Sequence, residues 1–374
     1  MEPDRFPQGG DSRRVGAQPP TRTGTQSAAE PKHYKPMFNG SAGEYFRIWI
    51  VNTFLTIVTL GIYAPWAKVR NRRYFYKNTL LDGHSFDYTA NPVAILKGYL
   101  IIGAGVLLYY LTEAYDPRFS FIFVLLFYLM LPFLIYKSLR FFARNSTYRN
   151  IRFRFLGTLG SSFSTYLLYP ILVPITLGLI IPHWAFEKKK FFFDNMAYGA
   201  SRNSFHGRSG PFYKVYLLAV LTLFGSFFLG GIAVAIALRG MVDTLGNEGM
   251  RSFALMSVIV MYFVMLIVMT FFQQYIFAWE TNYSWGQSRL DTVRFKSTLK
   301  ATKLIWIRIT NILAIIFSLG LLAPWARVRR TRYVLDNLTI ISAQSLDDFT
   351  SAVEPDVGAY GDAATDLFDF EIGL

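Results

Sequence analysis

Long uncharged apolar blocks alternate with short basic and aromatic stretches along this chain. Phe253–Trp279 runs for 27 residues without Lys, Arg, Asp or Glu, and Val215–Leu238 for 24. About 20 such residues span the hydrocarbon core of a bilayer. Seven apolar segments stand out, at roughly 46–66, 93–112, 119–136, 165–186, 214–238, 253–279 and 304–325. Helices are the expected form, because a lone strand in lipid leaves backbone groups unpaired and continuous apolar runs lack barrel alternation. The predicted fold is therefore all-α: a polytopic helical membrane protein with four crossings. Three further Gly/Pro-broken segments either cross or re-enter, for up to seven spans.

Those three segments belong to an internal repeat. Leu60–Asn78 (LGIYAPWAKVRNRRYFYKN) and Leu319–Asn337 (LGLLAPWARVRRTRYVLDN) agree at 11 of 19 positions without a gap. Leu177–Asn195 (LGLIIPHWAFEKKKFFFDN) is a weaker copy, sharing 6 of 19 with the last. Each copy reads apolar run, Gly-x-x-x-Pro, aromatic, basic cluster, aromatic cluster, Asn. Proline lacks an N–H and disfavours helix at the residue before it, so Ala64, Ile181 and Ala323 are expected bends or helix ends. Trp66, Trp184 and Trp325 suit the headgroup level, and the basic residues after them suit an anionic lipid surface.

Composition and charge refine this. Aromatics make up 17% of the 374 residues and charged residues only 17%, well below a soluble domain. There is no Cys, which excludes a disulfide scaffold or a thiolate metal site. The net charge is +14, yet residues 333–374 hold nine acidic side chains and no Lys or Arg. The domain plan is a disordered tail over 1–40 and a membrane domain over 41–340. Its repeat units lie at about 44–88, 161–205 and 303–340, and an acidic tail follows over 341–374. The strongly basic connections fall on one side only if the three repeat segments re-enter. In that case both termini are cytoplasmic. Nucleic-acid binding, the competing reading of a basic chain, is set aside because the basic residues flank apolar spans and no nucleic-acid motif occurs.

The stretch from Phe38 to Phe86 resembles the YjgN-like family of bacterial inner-membrane proteins, a domain of unknown function. Arg144–Thr158, Asn282–Phe295, Leu319–Asn337 and Asp366–Leu374 fit the same pattern. The resemblance covers about residues 35–374. It implies a multi-pass protein of the bacterial inner membrane and no particular activity. The middle copy departs from the pattern: His183 stands where Trp66 and Trp325 do, and Glu187 where Arg70 and Arg329 do.

Motifs that would carry catalytic or metal chemistry are missing from the sequence. The four His residues form no i, i+4 pair, and no HExxH, P-loop, G-x-G-x-x-G or G-x-S-x-G occurs. No enzyme, metal or cofactor is expected. The candidate contacts for lipid headgroups or an anionic solute are Arg70, Arg72, Arg73, Lys188, Lys189, Lys190, Arg327, Arg329 and Arg330. Topology and snorkelling explain such clusters more simply. Arg70, Arg72 and Arg73 cannot share one helix face, which argues against a single pocket using all three. Asn52 and Asn311, equivalent in the repeat, are candidates for a polar lining at broken helices, although helix–helix hydrogen bonding is their more ordinary role. Ile151–Phe155 and Val293–Phe295 alternate as brief strands would. The expected partners are membrane lipids with anionic headgroups. The acidic tail is expected to dock on the protein's own basic loops or on a partner. The favoured function is a transporter or permeation protein for a small solute; the alternative is a lipid-associated, envelope-organising scaffold.

Overall fold

At the Asn that ends each basic–aromatic helix, the chain stops being helical and turns into a short strand. The side-chain amides of Asn78, Asn145, Asn195 and Asn337 donate to the carbonyl four residues back, at 2.9, 2.8, 2.7 and 2.8 Å. Each cap satisfies carbonyls that the ending helix would leave open. The cap's own carbonyl accepts a bond from the end of another strand: Asn39 to Asn78, Thr89 to Asn145, Leu156 to Asn195, Thr298 to Asn337. A fifth site follows the same rule without Asn, with His206 donating to Gln287.

The computed structural model describes residues 31–241, 246–343 and 345–346. Most of the acidic tail and residues 1–30 of the predicted N-terminal tail lie outside these. The strands are β1 (Lys32–Tyr34), β2 (Met37–Phe38), β3 (Thr79–Leu81), β4 (His84–Tyr88), β5 (Ser146–Tyr148), β6 (Ile151–Phe155), β7 (Met196–Tyr198), β8 (Ser201–Phe205), β9 (Ser288–Leu290), β10 (Val293–Ser297) and β11 (Leu338–Ser342). They form one antiparallel sheet in the order β1-β11-β10-β9-β8-β7-β6-β5-β4-β3-β2. Its two end strands, β1 and β2, are consecutive in the chain, separated by Lys35 and Pro36. So short a link holds the two edges within about 10–15 Å of each other, so the sheet curls round on itself.

This sheet corrects the all-α expectation. Strands of two to five residues are too short for alternation to be read, and their partners lie far away in sequence. Only β6 and β10 carried a visible pattern. The N-terminal boundary changes for the same reason: within residues assigned to the tail, 32–34 pair with 340–342 and 37–38 with 79–80.

Between strands stand five helical hairpins. They are α1 (Ala42–Val58) with α2 (Ala64–Lys77), and α3 (Pro92–Tyr115) with α4 (Pro117–Arg144). Next comes a broken helix returning through α7 (Ile181–Asp194); its parts are α5 (Leu159–Phe163), a π-helical turn (Ser164–Leu168) and α6 (Tyr169–Ile175). The last two are α8 (Gly210–Met241) with α9 (Asn247–Gly286), and α10 (Ala301–Phe317) with α11 (Ala323–Asp336). Every hairpin leaves the sheet and returns to it. Among the described residues, four helical stretches are long and apolar enough to cross a membrane: Pro92–Tyr115, Ser120–Arg144, Gly210–Ala237 and Glu248–Gly286.

The returning helices α2, α4, α7, α9 and α11 are equivalent. Counting back 13 residues from the caps at 78, 145, 195, 287 and 337 gives Pro65, Pro132, Pro182, Gln274 and Pro324, all buried. In the three short hairpins this proline opens the returning helix. In α4 the helix continues through Pro132. The sheet interior is filled by one residue from the first strand of each hairpin, namely Leu81, Tyr148, Tyr198, Leu290 and Ile340, with Val293 and Leu346 beside them. Small closed or curled sheets pack side chains inside in this way.

Candidate functional site: a basic and aromatic cleft

The nine basic candidates scatter rather than converge, as helical geometry requires. Arg72 donates to Tyr88 Oη at 3.0 Å and lies over the Phe142 ring at 5.1 Å, joining α2 to α4. Arg73 points the other way and pairs with Asp87 on β4 at 3.2 Å. Arg70 and Lys190 are exposed. Arg327 donates to Tyr45 at 3.1 Å and stacks on Phe75 at 5.0 Å. Arg330 stacks on Phe277 of α9 at 5.0 Å. Burial holds Arg330 below the ordinary arginine value, and Arg308 adds to the effect. Most of these cations thus tie a returning helix to a neighbouring element.

The two asparagines sit at equivalent, buried positions with different partners. Asn311 Oδ1 accepts from Arg329 at 3.1 Å, and its amide donates to the Ala326 carbonyl at 3.1 Å. Asn52 instead donates to Asn71 Oδ1 at 3.0 Å, and its own Oδ1 has no hydrogen-bond partner. In the middle copy Tyr169 takes this position. Its hydroxyl meets His183 Nε2 at 3.3 Å, and His183 lies 3.7 Å from Glu187. All three are links between the two arms of one hairpin, the ordinary role for such groups.

Lys188 and Lys189 face a larger space. A cleft of about 710 Å³ between α7, α8 and α9 is lined by Lys188, Lys189, Tyr216, Gln273, Phe277 and Glu280, among others. Lys189 Nζ lies 3.2 Å from Glu280 Oε2, and the Tyr216 hydroxyl donates to Glu280 Oε1 at 2.6 Å. Lys188 lies over the Trp184 ring at 4.2 Å. Burial pushes the Lys188 ammonium below the ordinary lysine range, Glu280 opposes this, and Lys189 reinforces it. The cleft therefore joins two cations, one carboxylate, a phenol and an amide to apolar walls. It opens where the long apolar helices α8 and α9 reach the sheet.

In the sequence Glu280 merely follows the apolar run that ends at Trp279, and nothing local marks Tyr216. The signal was the spacing Gln274–Gln287, which repeats Pro182–Asn195 with neither the Pro nor the Asn. Among the described residues no cluster of His, Cys, Asp or Glu is arranged to hold a metal ion. On the apolar side, Ser226 and Gly230 of α8 face Met261 and Met265 of α9 around a space of about 440 Å³.

Residues 34–367 match the family described as "Bacterial protein of unknown function (DUF898)". The chain belongs to this family. It is similar to the Inner membrane protein YjgN of Salmonella typhimurium (strain LT2), 30% identical over 159 residues, covering 41% of this chain and 40% of that protein. It is also similar to the proteins of that name from Escherichia coli O157:H7 and Escherichia coli (strain K12). These are 31% and 32% identical over 143 residues, 38% of this chain and 36% of each relative. The matches thus span well under half the length of those relatives. No solved structure matches. These relatives are named inner membrane proteins, and the four membrane-length helices among the described residues fit a multi-pass membrane protein.

Proposed function

We propose that this protein carries a small amphipathic anion at the inner membrane, using the cleft between α7, α8 and α9 as its binding site, and that its sheet faces the cytoplasm. The observation that supports this reading is the Lys189–Glu280 pair, set in a 710 Å³ cleft beside Lys188 and aromatic walls. An anionic head displaces Glu280 from Lys189, and the aromatic walls take an apolar body. Partly buried cations bind anions more strongly than exposed ones because water screens them less. The sidedness follows from the basic strands, which carry Arg152, Arg154, Arg202, Arg289, Arg294 and Lys296. The role is one of binding and movement rather than bond-making chemistry.

Purified protein in vesicles tests this with benzoate, naphthoate and naphthalene sulfonate. Uptake above that of empty vesicles is expected, with loss in the Lys188→Met/Lys189→Met variant. Uptake equal to empty vesicles for all three, without saturable binding, overturns the proposal.

A second reading, a lipid-associated scaffold of the envelope, is favoured by the exposed apolar ends of the three short hairpins. Anionic lipid held through purification, together with no uptake, would select it.

A further inference from the structure

The three short hairpins end in the same turn, and that turn is built for hydrocarbon. Its sequence is Thr59-Leu60-Gly61, Thr176-Leu177-Gly178 or Ser318-Leu319-Gly320. In each, Leu adopts a left-handed backbone with φ near +50°, and Gly follows at φ +92°, +85° or +91°. The three leucines are 94%, 92% and 93% exposed. Left-handed φ favours Gly, Asn or Asp over a bulky residue, and an exposed leucine gains nothing in water. The same chain uses polar residues at its other left-handed turns. Its other non-glycine residues at positive φ, among those described, are Asp82, Arg149, Asn150 and Asp291, all in turns of the sheet. Backbone need is alike in both sets, and the side chains differ with their surroundings.

The backbone N–H groups of the tips are satisfied within them. The Gly61, Gly178 and Gly320 N–H groups each donate at 2.8 Å to the carbonyl five residues back. The Thr59, Thr176 and Ser318 hydroxyls accept from the N–H of Tyr63, Ile180 and Leu322 at 3.0, 3.3 and 3.0 Å. Every backbone N–H from Thr59 to Ala64 is paired within the tip, and Pro65 has none. Groups in hydrocarbon must be satisfied internally, because no water is there to do it. A loop in water has no such requirement.

Depth follows from the equivalence of the five returning helices. From the common Pro position a short tip extends about five residues, or roughly 7 Å, into the apolar zone. From the same level α4 extends back about 15 residues, roughly 22 Å, and α9 about 27 residues, roughly 40 Å. Only the latter two hairpins approach or exceed the roughly 30 Å of a bilayer core.

We infer that the three Thr/Ser-Leu-Gly tips lie among the acyl chains of the sheet-side leaflet alone. The protein then displaces that leaflet with five hairpins and the far leaflet with two. It is a wedge, wider on the sheet side, and it favours membrane that is convex on that side.

The absence of Cys makes the test direct. Leu60→Cys, Leu177→Cys, Leu319→Cys and, as a water-facing control, Asp82→Cys are each labelled with an environment-sensitive dye. The proteins are then placed in phosphatidylethanolamine–phosphatidylglycerol vesicles. The three tip labels are expected to emit as in hydrocarbon and to be quenched most by nitroxides on the upper acyl chain, at one shared depth. Aqueous emission at any tip, or strongest quenching by nitroxides at the chain ends, overturns the insertion. Reconstitution into vesicles of decreasing diameter tests the wedge. The fraction with the sheet outward, read by quencher access to the label at position 82, is expected to rise as diameter falls. The triple variant Leu60→Asp/Leu177→Asp/Leu319→Asp suits the left-handed backbone, keeps the fold and is expected to lose this trend. No size dependence in the parent, or an unchanged trend in the variant, overturns the wedge.

Discussion

Tyr198 donates its hydroxyl to the backbone carbonyl of Tyr148 at 2.9 Å, across two consecutive hairpins of the sheet. Tyr148 repeats the contact one hairpin earlier, donating to Leu81 at 2.8 Å. Both rings fill the sheet interior, and the phenols are stitches between repeats. Burial pushes the Tyr198 phenol above its ordinary value, and Tyr148 adds to this. Tyr198→Phe removes this bond between repeats, for an expected loss of about 0.5–1.5 kcal/mol. Thermal unfolding followed by near-ultraviolet circular dichroism in detergent measures it. An unchanged midpoint refutes a structural role for the bond.

The Lys189–Glu280 pair predicts opposite effects from its two halves. Glu280→Gln frees Lys189 and removes the competing carboxylate, so naphthoate is expected to bind several-fold more tightly. Lys189→Met is expected to weaken the same binding at least tenfold, about 1.4 kcal/mol. Calorimetric titration of both variants decides it. Equal changes in one direction would show that the pair only braces α7 against α9.

Lys68 gives a pH dependence. Burial, helped by the neighbouring Arg72, brings its ammonium down to about 8. The unfolded chain keeps that proton to about 10.5, so between these values it binds more protons than the folded state. Stability contributed by this group therefore rises with pH across that window. Below it Lys68 is charged in both states and the contribution is constant. Comparing the thermal midpoint of the parent and Lys68→Met from pH 7 to pH 10 checks the sign. A parent curve parallel to the variant's removes Lys68 as the cause.

Gly207 follows Phe205 by two residues, and a Cβ there would lie 2.4 Å from that buried ring. Gly40 and Gly157 repeat the contact with Phe38 and Phe155, at 2.6 and 2.5 Å. Gly207→Ala forces the ring out of its place and is expected to cost about 1–3 kcal/mol by overpacking. Ala substitution at Gly43, where nothing lies within 4 Å, is the control. Equal stability of the two variants defeats the steric argument.

Much of the candidate site was legible as residue types and little of it as geometry. The basic clusters were visible because Lys and Arg stand out beside apolar runs. Their scatter was also legible, since on any helix residue 72 lies off the face that residues 70 and 73 share. The cleft was not. Lys189 meets Glu280 from 91 positions away in the chain, and no local pattern marks such a pair. Two of the five repeat units were hidden for a related reason. In α4 the common proline lies inside a long apolar helix, and in α9 Gln274 and Gln287 replace the Pro and Asn.

Hydrophobic runs by themselves marked four segments as long enough to cross a membrane and left three Gly/Pro-broken ones open between crossing and re-entry. That information is local, because the bilayer selects on contiguous apolar length. Gly-x-x-x-Pro likewise fixed where the short segments break, since a missing N–H acts on its own turn. Only the tertiary structure decided that the five hairpins hang from one curled sheet. It alone brought residues 32–34 against 340–342, 37–38 against 79–80, and Glu280 against Lys189. Strands of two to five residues carry too little periodicity to be read alone and exist only through hydrogen bonds to distant partners.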